Sequence, residues 1–129
     1  MIRNAGAVVS HPWGSVMRSL LVAVLELRVE EIMVIAHFDC GMRGLTAQSM
    51  LDAAQARGIP ADRIETLRHA GIDLDSWFTG FDNVEQSVRH TVNMIRHHPL
   101  MPSNVVVHGL VIHPSTGKLT LIEKGARDE

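Results

Sequence analysis

The residues best suited to chemistry are His37-Phe38-Asp39-Cys40-Gly41. An imidazole and a thiolate three residues apart on a turn can both face one divalent ion. Zinc accepts this mixed donor set, at about 2.0 Å to nitrogen and about 2.3 Å to sulfur. Asp39, between the two, is placed to orient a ligand or to approach the metal itself, and Gly41 lets the backbone pass close to whatever binds. A second reading stays open on spacing alone. A lone cysteine after a strand is often a small core residue, a nearby histidine is often merely hydrogen-bonded, and zinc sites need three or four ligands. A nucleophilic Cys–His pair fits less well, because such partners are generally distant in sequence.

Eight histidines are the one compositional oddity. His97 and His98 sit where a helix should end and would answer the negative end of its dipole. His11, His69, His90 and His113 fall in loops or on helix surfaces and read as solvated. His108 falls within a strand and reads as a buried, hydrogen-bonded histidine. The scattered methionines read as core filler.

The elements that must position the His37–Gly41 turn follow from hydrophobic spacing. Met1-Ile2 looks like the tail of a strand, and Arg3–Gly6 a turn. Ser15 is placed to cap a helix reaching about Leu27, with Val16, Leu20, Val24 and Leu27 on one face. Glu31–Ala36 is a short, β-branched apolar run, read as a buried parallel strand. Thr46 caps a helix stopped by Gly58 and Pro60; Ala61–His69 is a second, stopped at Gly71. Asp73–Phe78 adds a turn. Asp82, with Glu85 three residues on, reads as a capping box opening a helix that Pro99 ends, with Val84, Val88, Val92 and Ile95 inward. Asn104–Ile112 and Lys118–Ile122 form two strands around the turn 113–117. The alternation of helix and strand predicts an α/β fold: a mostly parallel sheet flanked by helices, with a C-terminal antiparallel edge hairpin. The His37–Gly41 turn then lies outside the carboxyl end of a strand, where open α/β sheets bind ligands.

The length of 129 residues fits a single domain, residues 1–129. A balance of 12 basic against 14 acidic residues, net −2, offers nothing to hold nucleic acid or an acidic membrane. Cys40 is the only cysteine, so no internal disulfide forms and a reducing compartment is expected. The first residues carry no long apolar stretch and no run approaches a membrane span, so a cytoplasmic location is expected. Neither GxGxxG nor GKS/T is found, which argues against a nucleotide-binding domain.

Several pieces together carry a resemblance. These are Arg3-Asn4-Ala5-Gly6, Arg18-Ser19-Leu20, and His37-Phe38-Asp39-Cys40-Gly41-Met42, followed by Phe81–Val88, Val107–Val111 and Thr116–Leu119. The chain resembles bacterial β-class carbonic anhydrases over essentially its whole length. Where this sequence has H-F-D-C-G-M, the family usually reads H-T-D-C-G-M. The resemblance implies an α/β fold paired into homodimers or larger assemblies, Zn2+ as cofactor, and reversible hydration of carbon dioxide to bicarbonate by zinc-hydroxide chemistry. It implies that His37 and Cys40 are metal ligands, that Asp39 orients the site, that Gly41 gives the substrate room, and that Arg3 sits near a bicarbonate position.

The family's zinc is held by two cysteines and one histidine, the other cysteine belonging to a C-x-D-x-R motif on a strand central to the sheet. No cysteine precedes Cys40 here. The expectation is therefore a β-carbonic-anhydrase-like domain incomplete at its amino terminus, with impaired activity, unless His11 or a carboxylate stands in. The alternative is a non-catalytic carbonic-anhydrase-like subunit or binding module.

Overall fold

The computed structural model describes residues 1–38, 42 and 44–126. After a 3₁₀ turn at Ala5–Ala7 come α1 (Ser15–Leu25), β1 (Glu31–His37), α2 (Ala47–Ala56), α3 (Ala61–His69), α4 (Leu74–Phe78), α5 (Val84–Arg96), β2 (Val106–Ile112) and β3 (Leu119–Glu123). The chain divides into two compact units, Met1–Cys40 with Asn83–Glu129, and Gly41–Asp82.

The first unit is built on a sheet of order β1-β2-β3 among the described residues. β1 and β2 run parallel, from Glu31 opposite Val106 to His37 opposite Ile112. β2 and β3 form the expected antiparallel hairpin, with an irregularity at Gly109/Leu110. The α/β class is borne out, as a small mixed sheet with one parallel and one antiparallel pair. β1 differs from expectation in its burial. Ile32, Val34 and Ala36 point into the core, whereas Met33 (64% exposed) and Ile35 (43%) point out of it. The strand has period-2 burial that its sequence hides, because the outward positions are apolar too. Met1 and Ile2, read as a strand tail, lie outside any strand and are exposed.

The core side of the sheet packs on α5, whose Val88, Thr91, Val92 and Ile95 are buried, and on Met17 and Val24 of α1. Gly109 permits a close approach of α5. A Cβ there would lie 2.6 Å from Val88 Cγ1 and 3.0 Å from Val92 Cγ2. At the rim, Glu123 of β3 meets Arg89 at 3.5 Å and Arg96 at 3.7 Å, and Arg96 also donates to the Val107 carbonyl at 2.6 Å. These partly exposed pairs add little individually.

Three helix ends depart from expectation. Gly14, not Ser15, is the cap of α1, and Ser15 is its first residue. That helix stops at Leu25 rather than Leu27, because the chain turns through Arg28 (φ 58°) and the Val29 N–H reaches back to the Ala23 carbonyl; Leu25 and Leu27 are exposed. The cap of α5 is Asn83, not Asp82. Its side chain accepts from the Gln86 N–H at 3.1 Å, one residue later than the acidic pattern suggested.

The second unit encloses Leu51, Ile64 and Leu74, with Phe78 against them. Its caps follow the sequence. Thr46 and Ser49 satisfy each other's backbone N–H at the start of α2, and the Asp73 side chain accepts from the Ser76 N–H to open α4. Gly58 (φ 98°) and Gly71 (φ 87°) end α2 and α3, with Ile59 N–H bonded to Ala54 O at 3.0 Å and Ile72 N–H to Leu67 O at 3.2 Å. This is the Schellman geometry, which places a left-handed residue at the glycine. Gly71→Ala is expected to lower stability by about 1 kcal/mol, since alanine resists that conformation. Urea denaturation checks it, and an unchanged midpoint would contradict the assignment.

Candidate functional site

His37 is the last residue of β1, and the β1–β2 ladder extends one bond past it, from the Phe38 N–H to the Ile112 carbonyl at 3.1 Å. The His37 ring is exposed, and its Nδ1 lies 2.9 Å from the Phe38 carbonyl oxygen. A carbonyl only accepts, so Nδ1 is the donor in this contact. The structure places the exposed His37 imidazole at the carboxyl end of β1. Asp39, Cys40 and Gly41 lie outside the described residues. Among the described residues no group of three or more His, Cys, Asp or Glu is arranged to hold a metal ion.

Beside Phe38 stands a residue that the sequence reading left in solvent. His113, following β2, is half-buried and its ring lies 4.3 Å from that of Phe38, tilted by 34°. Its Nε2 is 3.3 Å from Thr120 Oγ1, and its backbone N–H donates to the Lys118 carbonyl at 2.9 Å. The signal that could have found it is register. Once β1 and β2 are paired in parallel, with His37 opposite Ile112, the next residue of each strand falls side by side.

Arg3 lies in the exposed stretch before the 3₁₀ turn. Its neighbours Ile2 and Asn4 line a groove of about 290 Å³ along Glu31–Val34, the amino-terminal half of β1. His37 closes the other end of that strand, and the structure does not bring the two together.

The remaining histidines sort by their partners. His97 ends α5 and donates from Nδ1 to the Asn93 carbonyl at 2.8 Å, as expected of a residue at a helix C-terminus. His98 does not share that role. It is buried, donates from Nε2 to the Pro12 carbonyl at 2.8 Å, accepts the Leu100 N–H on Nδ1 at 3.1 Å, and meets Trp13 edge-on. It clamps the segment before α1 to the end of α5. His108 is hydrogen-bonded as expected, accepting the Gly125 N–H at 3.0 Å and facing Glu31 at 3.7 Å, although it is only half-buried. His11 is exposed, and its Nδ1 accepts the Trp13 N–H. No helix among the described residues is long and apolar enough to cross a membrane.

A family model for carbonic anhydrase matches residues 1–119. The protein YtiB of Bacillus subtilis (strain 168), named for carbonic anhydrase, is 58% identical over 125 residues, covering 97% of this chain and 67% of its own length. A carbon disulfide hydrolase of Acidithiobacillus thiooxidans is 28% identical over 127 residues, 92% of this chain and 61% of its own. Among solved structures, the β-carbonic anhydrase isoform I of Trichomonas vaginalis superposes with a TM-score of 0.84 at 34% identity, covering 95% of this chain and 66% of that one. The chain thus spans about two thirds of the length of these relatives. Motif, fold and likeness agree, and the chain belongs to the β-class carbonic anhydrase family.

Proposed function

We propose that the chain contributes to the reversible hydration of carbon dioxide, with Zn2+ held by His37 and Cys40 in a homo-oligomer in the cytoplasm. The observation that carries this reading is the exposed His37 ring at the carboxyl end of β1, its Nδ1 2.9 Å from the Phe38 carbonyl oxygen. A nitrogen donor and a thiolate suit zinc in hardness and charge. When bound, zinc lowers the pKa of water to about 7, a value taken from carbonic anhydrase chemistry in general, and so makes a nucleophile available at neutral pH. The chain's own part is to hold the metal through His37 and Cys40, to orient the turn through Asp39, and to leave space for substrate at Gly41. Arg3 is proposed to act on bicarbonate only if the amino-terminal stretch approaches the turn in the assembled protein.

These 129 residues contain one cysteine, so the soft part of the donor set is a single thiolate. Two protein ligands are fewer than the three of catalytic zinc sites, so this 129-residue polypeptide taken by itself is expected to bind zinc weakly and to hydrate carbon dioxide slowly. The second reading is a non-catalytic carbonic-anhydrase-like subunit. Stopped-flow hydration with excess zinc separates the two. A rate increment above the zinc-only control, absent in Cys40→Ser, supports catalysis; no increment at saturating zinc supports the second reading. Tightly held stoichiometric zinc with rapid turnover would contradict the impairment.

A further inference from the structure

We propose that the outer face of α1 is a homodimer contact, in which two copies of the chain pack α1 against α1, antiparallel, about Val22. The inference deepens the reading of the protein as a homo-oligomer by naming the surface that joins the copies.

α1 is apolar on both sides. Its inner face puts Met17 and Val24 in the core. A helix at the surface ordinarily turns charged and polar residues the other way. Here Val22 (47% exposed) and Leu25 (56%) stand on the outer face. They border a groove of about 460 Å³ together with Pro12, Trp13, Leu21 and Leu100, and Trp13 is 65% exposed. The groove is held in shape, because His98 donates to the Pro12 carbonyl on one rim and accepts the Leu100 N–H on the other. Apolar side chains scattered singly over a surface mean little, whereas a contiguous patch marks an interaction surface.

The charges beside the patch say what covers it. Arg18 and Glu26 lie four residues before and four residues after Val22, and both are exposed. At 3.6 residues per turn they flank Val22 by about 40° on either side. Neither enters an ion pair among the described residues. A two-fold axis through Val22 sets each Arg18 against the partner's Glu26, and Val22 against the partner's Val22. It also sets Leu25 against the partner's Ser19, a large residue over a small one. A closed dimer needs a patch that is its own complement, and this one is. Parallel pairing would bring arginine onto arginine and glutamate onto glutamate, so charge selects the antiparallel arrangement; such groups fix orientation more than strength. The eleven residues of α1 span only about 16 Å. A standard interface covers about 800 Å² on each partner, more than a seam of that length supplies. Trp13 and Leu100 enlarge it, and the contact falls in the weak class, with dissociation in the micromolar range.

Sedimentation velocity of the full chain across the micromolar range is the test, with circular dichroism to show that each variant is folded. The native protein should shift from monomer to dimer as its concentration rises. Arg18→Glu and Glu26→Arg, each alone, put like charges together at both ends of the seam and should weaken the dimer about tenfold or more. Mixing the two variants in equal amounts should recover native affinity as a heterodimer, because opposite charges again face each other across the axis. Val22→Asp sets two carboxylates on the axis and should abolish the dimer. Association of native strength in all three variants would overturn the α1 contact while leaving the homo-oligomer reading in place. Single variants that weaken the dimer without recovery on mixing would overturn the antiparallel register, and a native chain that stays monomeric throughout would overturn both the contact and the homo-oligomer reading.

Discussion

Replacing His37 with alanine is expected to weaken zinc binding by more than about a hundredfold. Losing a partner that merely supports a ligand costs metal affinity about 10- to 100-fold, and losing the ligand itself must cost more. A hundredfold corresponds to about 2.7 kcal/mol, at about 1.36 kcal/mol per tenfold. The fold should not respond, because His37 is exposed and its side chain's one hydrogen bond among the described residues is to the adjacent residue. Competition against a chromophoric chelator gives the affinity, and urea denaturation the stability. A change of less than threefold in affinity would contradict the assignment, and a large loss of stability would show that the imidazole serves the fold instead.

Gly109→Val is expected to destabilise the protein by about 2–3 kcal/mol, the upper part of the range for overpacking a filled core. Two effects oppose each other here. Valine favours strands and glycine does not, which alone would stabilise by up to about 1 kcal/mol. Against that, even the first added carbon would sit 2.6 Å from Val88 Cγ1 and 3.0 Å from Val92 Cγ2, both fully buried. Valine adds two more carbons beyond it, so α5 must lift from β2 and the steric term wins. A paired substitution sharpens the argument. Gly109→Ala should destabilise alone but cost less in combination with Val88→Ala, which removes the atom it meets; neighbours that share one space are not additive. Urea midpoints of the four proteins measure this. A neutral Gly109→Val, or strict additivity of the pair, would contradict the packing.

What the sequence reveals and conceals here follows from locality. Thr46 at the start of α2, and Gly58 and Gly71 past the ends of α2 and α3, act within a few residues of themselves, and the structure places them as their chemistry requires. The hairpin of β2 and β3 and the class of the fold are legible for the same reason. The misplaced caps are errors of one residue between adjacent polar candidates: Asp82 and Asn83 can both accept a backbone N–H, and only the path of the chain chooses between them. β1 is misread because Met33 and Ile35 are as apolar as Ile32 and Val34, so composition cannot show which side is covered. His98 and His113 are misread because their partners, Pro12 and Phe38, lie 86 and 75 residues away, brought together only by the sheet and α5. At the candidate site the position of His37 at a strand end is legible, whereas the contact of its Nδ1 with the Phe38 carbonyl needs the coordinates.

Cobalt(II) titration of the reduced protein tests most directly whether the imidazole and the sulfur share one ion. Cobalt takes zinc's place in such donor sets, and a bond to thiolate adds a charge-transfer absorption in the near ultraviolet that nitrogen and oxygen donors do not produce. The prediction is a saturable band that disappears in Cys40→Ser and needs far more cobalt to appear in His37→Ala. A band that forms equally well without the His37 ring, or no thiolate band at any cobalt concentration, would contradict the shared site.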